Sequence, residues 1–377
     1  MSRPCVKRMG GESSPHVGVV GLGEVGKAYA SIVADLGYDL VGVDADANAR
    51  GEFEREYGVE TYDDLTAIFE AEIDAVVVST PNSYHEVAAV QSLEADRDTF
   101  IEKPLAHNYE SAQRIVAAAE ESEGVCMVGF YFSFFEWVEA LKAEIDAGRF
   151  GEITHVEGRY LYRRGVPRRG SWYTSSELAG GGVLQDKGSF MLHLLASFGF
   201  PLDRIESVAA KTRTNFAHEE SYSAAGGWGA EGREDIFDVE DSVSAFLEFE
   251  DGKTATIETA WALNGRREHS YQIRGTEAGA YLDMDEAELT VHGIDERDPG
   301  SIVDTEVRPG FSEDVFEPET AYGFVIDEQR LRRRAFETFC RCAAADERPE
   351  RGRPERALAV QRAIADIYDA ADDPGIV

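Results

Sequence analysis

The segment Val17-Gly-Val-Val-Gly-Leu-Gly-Glu-Val-Gly26 constrains the fold more than any other part of the chain. An apolar-rich run enters a Gly21-x-Gly23-x-x-Gly26 turn. An amphipathic stretch follows, in which Val25, Tyr29, Ile32, Val33 and Leu36 recur at helical spacing. The order is strand, tight turn, helix. In such a turn the first glycine permits the bend, the second lets backbone approach a pyrophosphate, and the third lets helix and strand pack closely. The backbone around Leu22, Glu24 and Val25 then presents N–H groups, and the positive end of a helix dipole, to phosphate oxygens.

The next segment extends this reading. Tyr38 to Val43 reads as a second strand, ended by Asp44, which lies eighteen residues after Gly26. An acid about 20 residues past the glycines accepts hydrogen bonds from adenosine ribose hydroxyls and repels a 2′-phosphate, which favours NAD over NADP. The alternative role for Asp44 is the N-cap of the helix over 45–57, for which Asp46 competes. Arg50 lies a turn into that helix and reads as a solvated surface residue.

A chain of 377 residues suggests two domains, and 43% hydrophobic residues are enough for real cores. The formal charge is −35, from 72 acids against 37 bases, and 10% aromatic residues in periodic segments place that charge on a folded surface. Only seven lysines occur, at 7, 27, 103, 142, 187, 211 and 253. An acid-rich, lysine-poor composition is that of proteins from salt-accumulating cells, and it argues against nucleic acid as a partner. The four cysteines form no C-x-x-C, so neither a disulfide framework nor a zinc site is expected, and no metal is expected elsewhere. Residues 1–14 lack an apolar core and read as a disordered leader rather than a signal peptide. No run reaches the ~18 apolar residues of a membrane span, so a cytoplasmic location is expected.

Strands and helices alternate from His16 to Phe130, which predicts a doubly wound parallel sheet over residues 15–132. From residue 133 to 377 the texture changes. Longer alternating strands are expected at 153–162, 204–212, 242–250, 254–261, 269–275 and 280–284, forming a large open, mostly antiparallel sheet. One helix, 183–198, interrupts them, and two more are expected over 324–345 and 354–371. Residues 217–238 are glycine-rich and aperiodic and read as a long loop, mobile or part of a subunit contact.

Sheets of this kind gather ligands at the carboxyl ends of their strands. Glu102-Lys103-Pro104 ends one strand and aims a lysine at that face, in a chain that otherwise avoids lysine. Pairing with Glu102 is the alternative role for Lys103, and adjacent strand residues face opposite ways. Ser79, Thr80, Pro81 and Asn82 end the preceding strand, with His85 on the following helix. They read either as nicotinamide-side contacts or as a turn with capping side chains. Asp186 falls in the first turn of the helix after Gly180-Gly-Gly182, with 190 and 193 on the same face. His193 is either a packing residue or a proton carrier. Arg163 and Arg164, with Trp172 and Tyr173, form either a polyol- or carboxylate-binding wall or solvated loop charge.

Taken in order, the glycine turn, Asp44, Thr80-Pro-Asn82 with His85, Glu102-Lys103-Pro104, Gly180-Gly-Gly-x-x-x-Asp186-x-Gly188 and Val239-Glu-Asp241 resemble the Gfo/Idh/MocA oxidoreductases from about residue 16 to 371. The resemblance implies a Rossmann domain, an α/β domain whose open sheet builds a homodimer or homotetramer, and NAD(P)-dependent chemistry on a sugar or cyclitol hydroxyl or ketone. It implies Lys103 as a catalytic ammonium, Asp186 as a site carboxylate and a cis bond between Lys103 and Pro104. It also implies a histidine or tyrosine four residues after Asp186, where this chain has Phe190, which exchanges no proton. That departure makes a catalytically silent NAD- or sugar-binding member the alternative to an enzyme.

Charge at this density repels itself unless salt screens it, and in molar salt the Debye length falls to ~3 Å. The melting temperature is therefore expected to rise steeply from low to molar KCl. A flat profile would count against a salt-adapted surface.

Overall fold

The computed structural model describes residues 14–70, 73–216, 219, 222, 236–295, 298–307 and 326–372. Residues 1–13 of the leader, most of the 217–238 loop and the first residues of the helix expected from 324 lie outside them.

The chain divides into two compact units, the first comprising residues 1–130, 177–180 and 332–361. In it β1 (His16–Val20), β2 (Asp39–Val43), β3 (Thr61–Tyr62), β4 (Ala75–Val78), β5 (Asp98–Ile101) and β6 (Cys126–Val128) form an all-parallel sheet of order β3-β2-β1-β4-β5-β6. Helices α1 (Glu24–Asp35), α2 (Ala47–Tyr57), α3 (Leu65–Glu70), α4 (His85–Glu94) and α5 (Tyr109–Glu121) connect the strands. Strands covered on both faces need apolar residues at every position, which is why β4 reads Ala-Val-Val-Val with all four buried. The order reverses between β1 and β4, and the glycine turn lies at that switch point.

The second unit comprises residues 131–176, 181–331 and 362–377. Its sheet runs β14-β13-β12-β11-β7-β10-β9-β8, from β7 (Ile153–Leu161), β8 (Ile205–Arg213), β9 (Ser242–Phe249), β10 (Thr254–Ala260), β11 (Glu268–Gly275), β12 (Gly279–Asp283), β13 (Glu288–Asp295) and β14 (Asp298–Val307). Every pair is antiparallel except β7 with β10. The sheet is two-faced. Val156, Leu247, Ile257, Ile273 and Leu282 are buried. Between these positions, Arg159 pairs with Glu258 and Glu268, and Arg274 pairs with Glu157. Helix α6 (Glu136–Asp146) packs on β12 and β13, and α8 (Ser189–Ser197) packs on β7; the short α7 (Ser176–Ala179) between them in sequence falls almost wholly in the first unit.

Three features differ from the sequence reading. Strands β13 and β14 were not anticipated, because a Pro-Gly pair and a polar composition mask their alternation. The helix expected over 183–198 is a five-residue π-turn, Leu184–Gly188, followed by α8. The remaining helices are α9 (Glu328–Ala345) and α10 (Pro354–Asp372), and residues 332–361 belong to the first unit, not the second. The physical reason is aromatic: Phe336 and Phe339 of α9 pack on Phe100 of β5 at 5.7 and 5.5 Å, and Phe336 also meets Tyr29 of α1.

Candidate active site

The first unit builds a nucleotide cradle from backbone. Gly21 has φ of +90°, and a Cβ there would lie 2.7 Å from Ser79 O and Thr80 N, so no side chain fits. A Cβ on Gly26 would sit 1.9 Å from Gly21 O, the close helix–strand approach the motif demands. Gly23 differs, because a Cβ there would meet no protein atom within 4 Å. Its smallness answers no packing need, which leaves that space for something outside the fold. No side chain caps α1, and Gly23 is its N-cap. These observations fit a pyrophosphate at the start of α1.

Asp44 stands at the end of β2, with Oδ2 accepting from Leu22 N–H and Oδ1 from Asp46 N–H, each at 2.8 Å. The helix N-cap is Asp46, whose carboxylate accepts from Asn48 N–H, so Asp44 has a different task. Arg50 is not a solvated surface residue: it is half-buried and donates to the Asp44 and Ala45 carbonyls.

The other residues expected along this edge mostly brace it. Ser79 Oγ donates to Gly21 O at 2.9 Å and clips the glycine turn. Buried Asn82 donates to Ala179 O. His85 is 1% exposed and lies 2.9 Å from both Thr80 O and Pro104 O. Burial pushes its pKa down to about 4, against the pull of the carbonyls it faces. A neutral ring carries one N–H, so it donates to one carbonyl and meets the other with a lone pair.

Glu102 is buried and accepts from Tyr29 Oη at 2.7 Å and from Lys103 N–H at 2.8 Å, with Arg332 Nε at 3.7 Å. The Lys103–Pro104 bond is cis. Glu102 therefore holds the Lys103 backbone.

In the second unit, buried Glu240 accepts from Gly182 N–H, Leu184 N–H and Tyr368 Oη, each at 2.9 Å, and so ties down the turn that carries Asp186. Burial raises the Glu240 pKa against these donors. Asp186 Oδ2 accepts from Trp261 Nε1 at 2.9 Å and lies 3.5 Å from Lys187 Nζ. Burial works to strip the charge from Lys187, but Asp186, Tyr162 and Glu328 together outweigh burial and hold the ammonium above its ordinary range. Lys187 Nζ is 5.6 Å from the ring centres of both Tyr160 and Tyr162. Tyr160 stacks on His269 at 3.7 Å, and burial drives the His269 pKa well down.

Phe190 is 1% exposed and packs against Phe132 at 4.4 Å and Tyr131 at 4.8 Å. His193 is equally buried within α8. Trp172 and Tyr173 stack on each other, and the Arg164 guanidinium lies 3.9 Å from the centre of the Tyr222 ring, with Arg163 exposed. Among the described residues no group of three or more His, Cys, Asp or Glu is placed to hold a metal ion, and no helix is long and apolar enough to cross a membrane.

Lys187, Tyr160 and Tyr162 are residues sequence reasoning missed, and Glu240 entered it only as the middle residue of Val239-Glu-Asp241. Lysine scarcity, which singled out Lys103, pointed equally to Lys187 beside Asp186.

The buried His85 has a consequence for stability. Folded, it binds a proton near pH 4, whereas its ordinary value is 6.5. Between those values the unfolded chain holds more protons, so stability rises with pH across the window and is lost as pH falls through it. The span is about 3 kcal/mol. Urea midpoints at about pH 4.5 and about pH 7.5 should differ less in His85→Gln than in the native chain; an unchanged difference would refute the assignment.

Comparison with known proteins agrees with this geometry. Residues 16–130 match a family described as "Oxidoreductase family, NAD-binding Rossmann fold", and residues 138–281 match "GFO/IDH/MocA C-terminal domain". A protein of Amycolatopsis mediterranei, proposed as the oxidoreductase subunit of a UDP-kanosamine synthase, is 33% identical, covering 68% of this chain and 71% of its own. D-glucoside 3-dehydrogenase of Escherichia coli is 32% identical, covering 72% and 78%. A solved structure of levoglucosan dehydrogenase in complex with NADH superposes with a TM-score of 0.77 at 22% identity, covering 95% of this chain and 97% of that one. With both family regions in order and the nucleotide cradle intact, the chain belongs to the Gfo/Idh/MocA oxidoreductases, with an NAD-binding Rossmann fold.

Proposed function

We propose that the protein is an NAD-dependent dehydrogenase acting on a secondary hydroxyl, or the matching ketone, of a sugar, glycoside or ring polyol. The observation that carries this reading is Lys103, pinned through its own N–H by Glu102 at the carboxyl end of β5, in the sheet that bears the glycine turn. Two relatives support the substrate class: by name, one acts on D-glucosides and the other on levoglucosan.

Gly21, Gly23, Gly26 and Asp44 would hold the cofactor, whose nicotinamide supplies hydride acceptance or donation when bound. The Lys103 ammonium would stabilise negative charge developing on the substrate oxygen. Asp186, oriented by Trp261, would accept a hydrogen bond from a neighbouring hydroxyl and fix the ring. A homodimer or homotetramer through the eight-stranded sheet belongs to the same reading. The ion-paired face of that sheet, with Phe246 39% exposed, supports it.

A panel of glycosides, levoglucosan and inositols, followed by NADH absorbance in high salt, tests the reading. Turnover with at least one member is expected. None with any would leave a silent binder. Lys103→Ala should lower kcat on the order of 10²–10³-fold with NAD binding largely kept; near-native turnover would make Lys103 structural. Asp44→Ser should narrow the preference for NAD over NADP, and comparable binding of both by the native protein would remove Asp44 from that role.

A further inference from the structure

The proposed dehydrogenation releases a proton, and the position where the family resemblance implies an imidazole or phenol for it holds Phe190, sealed among Phe132 and Tyr131. We propose that Tyr162, at the end of β7 and poised by Lys187, is the proton-exchanging catalytic residue of this chain. The inference rests on the dehydrogenase reading above.

Geometry selects Tyr162. Among the described residues, the protic groups near Asp186, Lys187 and the Tyr160–Tyr162 pair include Trp261, Tyr131, His269, Arg267 and Glu328. Tyr131, Tyr160 and His269 are each at most 4% exposed, and Tyr131 Oη donates to Glu328 at 3.0 Å. Trp261 is a donor only, already bonded to Asp186. Tyr162, by contrast, is half-buried, and the Lys187 side chain keeps 16% of its surface open. Two cations address the Tyr162 ring, with Lys187 Nζ 5.6 Å and Arg267 Cζ 5.3 Å from its centre. Its hydroxyl lies 3.3 Å from that of Tyr160, which gives the proton a second oxygen to share.

The electrostatics follow the geometry. Burial raises the Tyr162 pKa; Lys187, the Tyr160 hydroxyl and Arg267 pull it back, and Glu328 opposes them. Tyr160, lacking that offset, is driven well higher. Lys187 stays charged beside Asp186, so it acts by its field and not by giving up its own proton.

In the oxidation direction the substrate O–H bond breaks and its proton passes to the Tyr162 phenolate oxygen. The electron pair left on oxygen forms the C=O bond. The C–H pair would leave as hydride, for which the nicotinamide of bound NAD would be the two-electron acceptor. Tyr162 then returns the proton to water; reduction reverses each step.

Two measurements test this, one independent of turnover. With ¹³C-labelled tyrosine, the resonance missing from Tyr162→Phe identifies Tyr162, and its titration is followed in the native protein, Lys187→Met and Lys187→Arg. The midpoint should move up by about one unit or more in Lys187→Met and return in Lys187→Arg. With the best sugar of the panel, Tyr162→Phe should lower kcat by about 100-fold or more, change KM little and abolish the alkaline inflection of the kcat profile. Lys187→Met should shift that inflection upward.

A Tyr162→Phe protein that melts like the native one and keeps kcat within about threefold overturns the proposal, as does a Tyr162 titration indifferent to Lys187. If the native protein oxidises no panel member, the dehydrogenase reading fails and the catalytic role of Tyr162 falls with it. The tyrosine titration still decides separately whether Lys187 tunes that phenol.

Discussion

A single buried carboxylate organises the chemistry-bearing edge of the first unit. Glu102 is 6% exposed, yet it accepts from the Tyr29 hydroxyl of α1 and from the Lys103 N–H, and it faces Arg332 of α9. A charge removed from water is tolerated only when its lone pairs are met, and removing one partner of such a group costs about 3–5 kcal/mol. Burial, and then the carboxylate, hold the Tyr29 phenol in its protonated, donating form. The direction in which Lys103 leaves the sheet is thus set by three elements far apart in sequence. The same elements share the aromatic cluster of Tyr29, Phe100 and Phe336.

The second unit repeats the device with different parts. Glu240 takes two N–H groups of the turn before α8 and the hydroxyl of Tyr368 from α10. That turn approaches its surroundings so closely that a Cβ on Gly182 would lie 1.9 Å from Glu240 O. The π-turn that follows presents Asp186 to Trp261 and sends Phe190 into the aromatic cluster.

Much of the first unit was legible because its determinants are local. A strand, three glycines and a helix within twenty residues specify the cradle, and the acid at Asp44 follows from the length of one more helix and strand. Lys103 was legible for the same reason, as a lysine at a strand end in a lysine-poor chain. What local reading missed was what the flanking side chains touch. Ser79, Asn82, His85 and Glu102 look like cofactor contacts in sequence, and in the structure they bond to Gly21, Ala179, Pro104 and Tyr29.

The sequence by itself determined the nucleotide cradle, the parallel sheet, the alternation of the second sheet and the absence of a protic group at position 190. Each is written in spacing or residue type within one element or its neighbour. Only the tertiary structure decided that residues 332–361 complete the first unit, that Glu102 and Glu240 are buried anchors, and that Lys187 stands between Asp186 and two tyrosine rings. Those facts depend on contacts across long sequence separations, such as Trp261 with Asp186 or Phe336 with Phe100, where burial makes one pairing of charge and ring favourable and no local pattern records which.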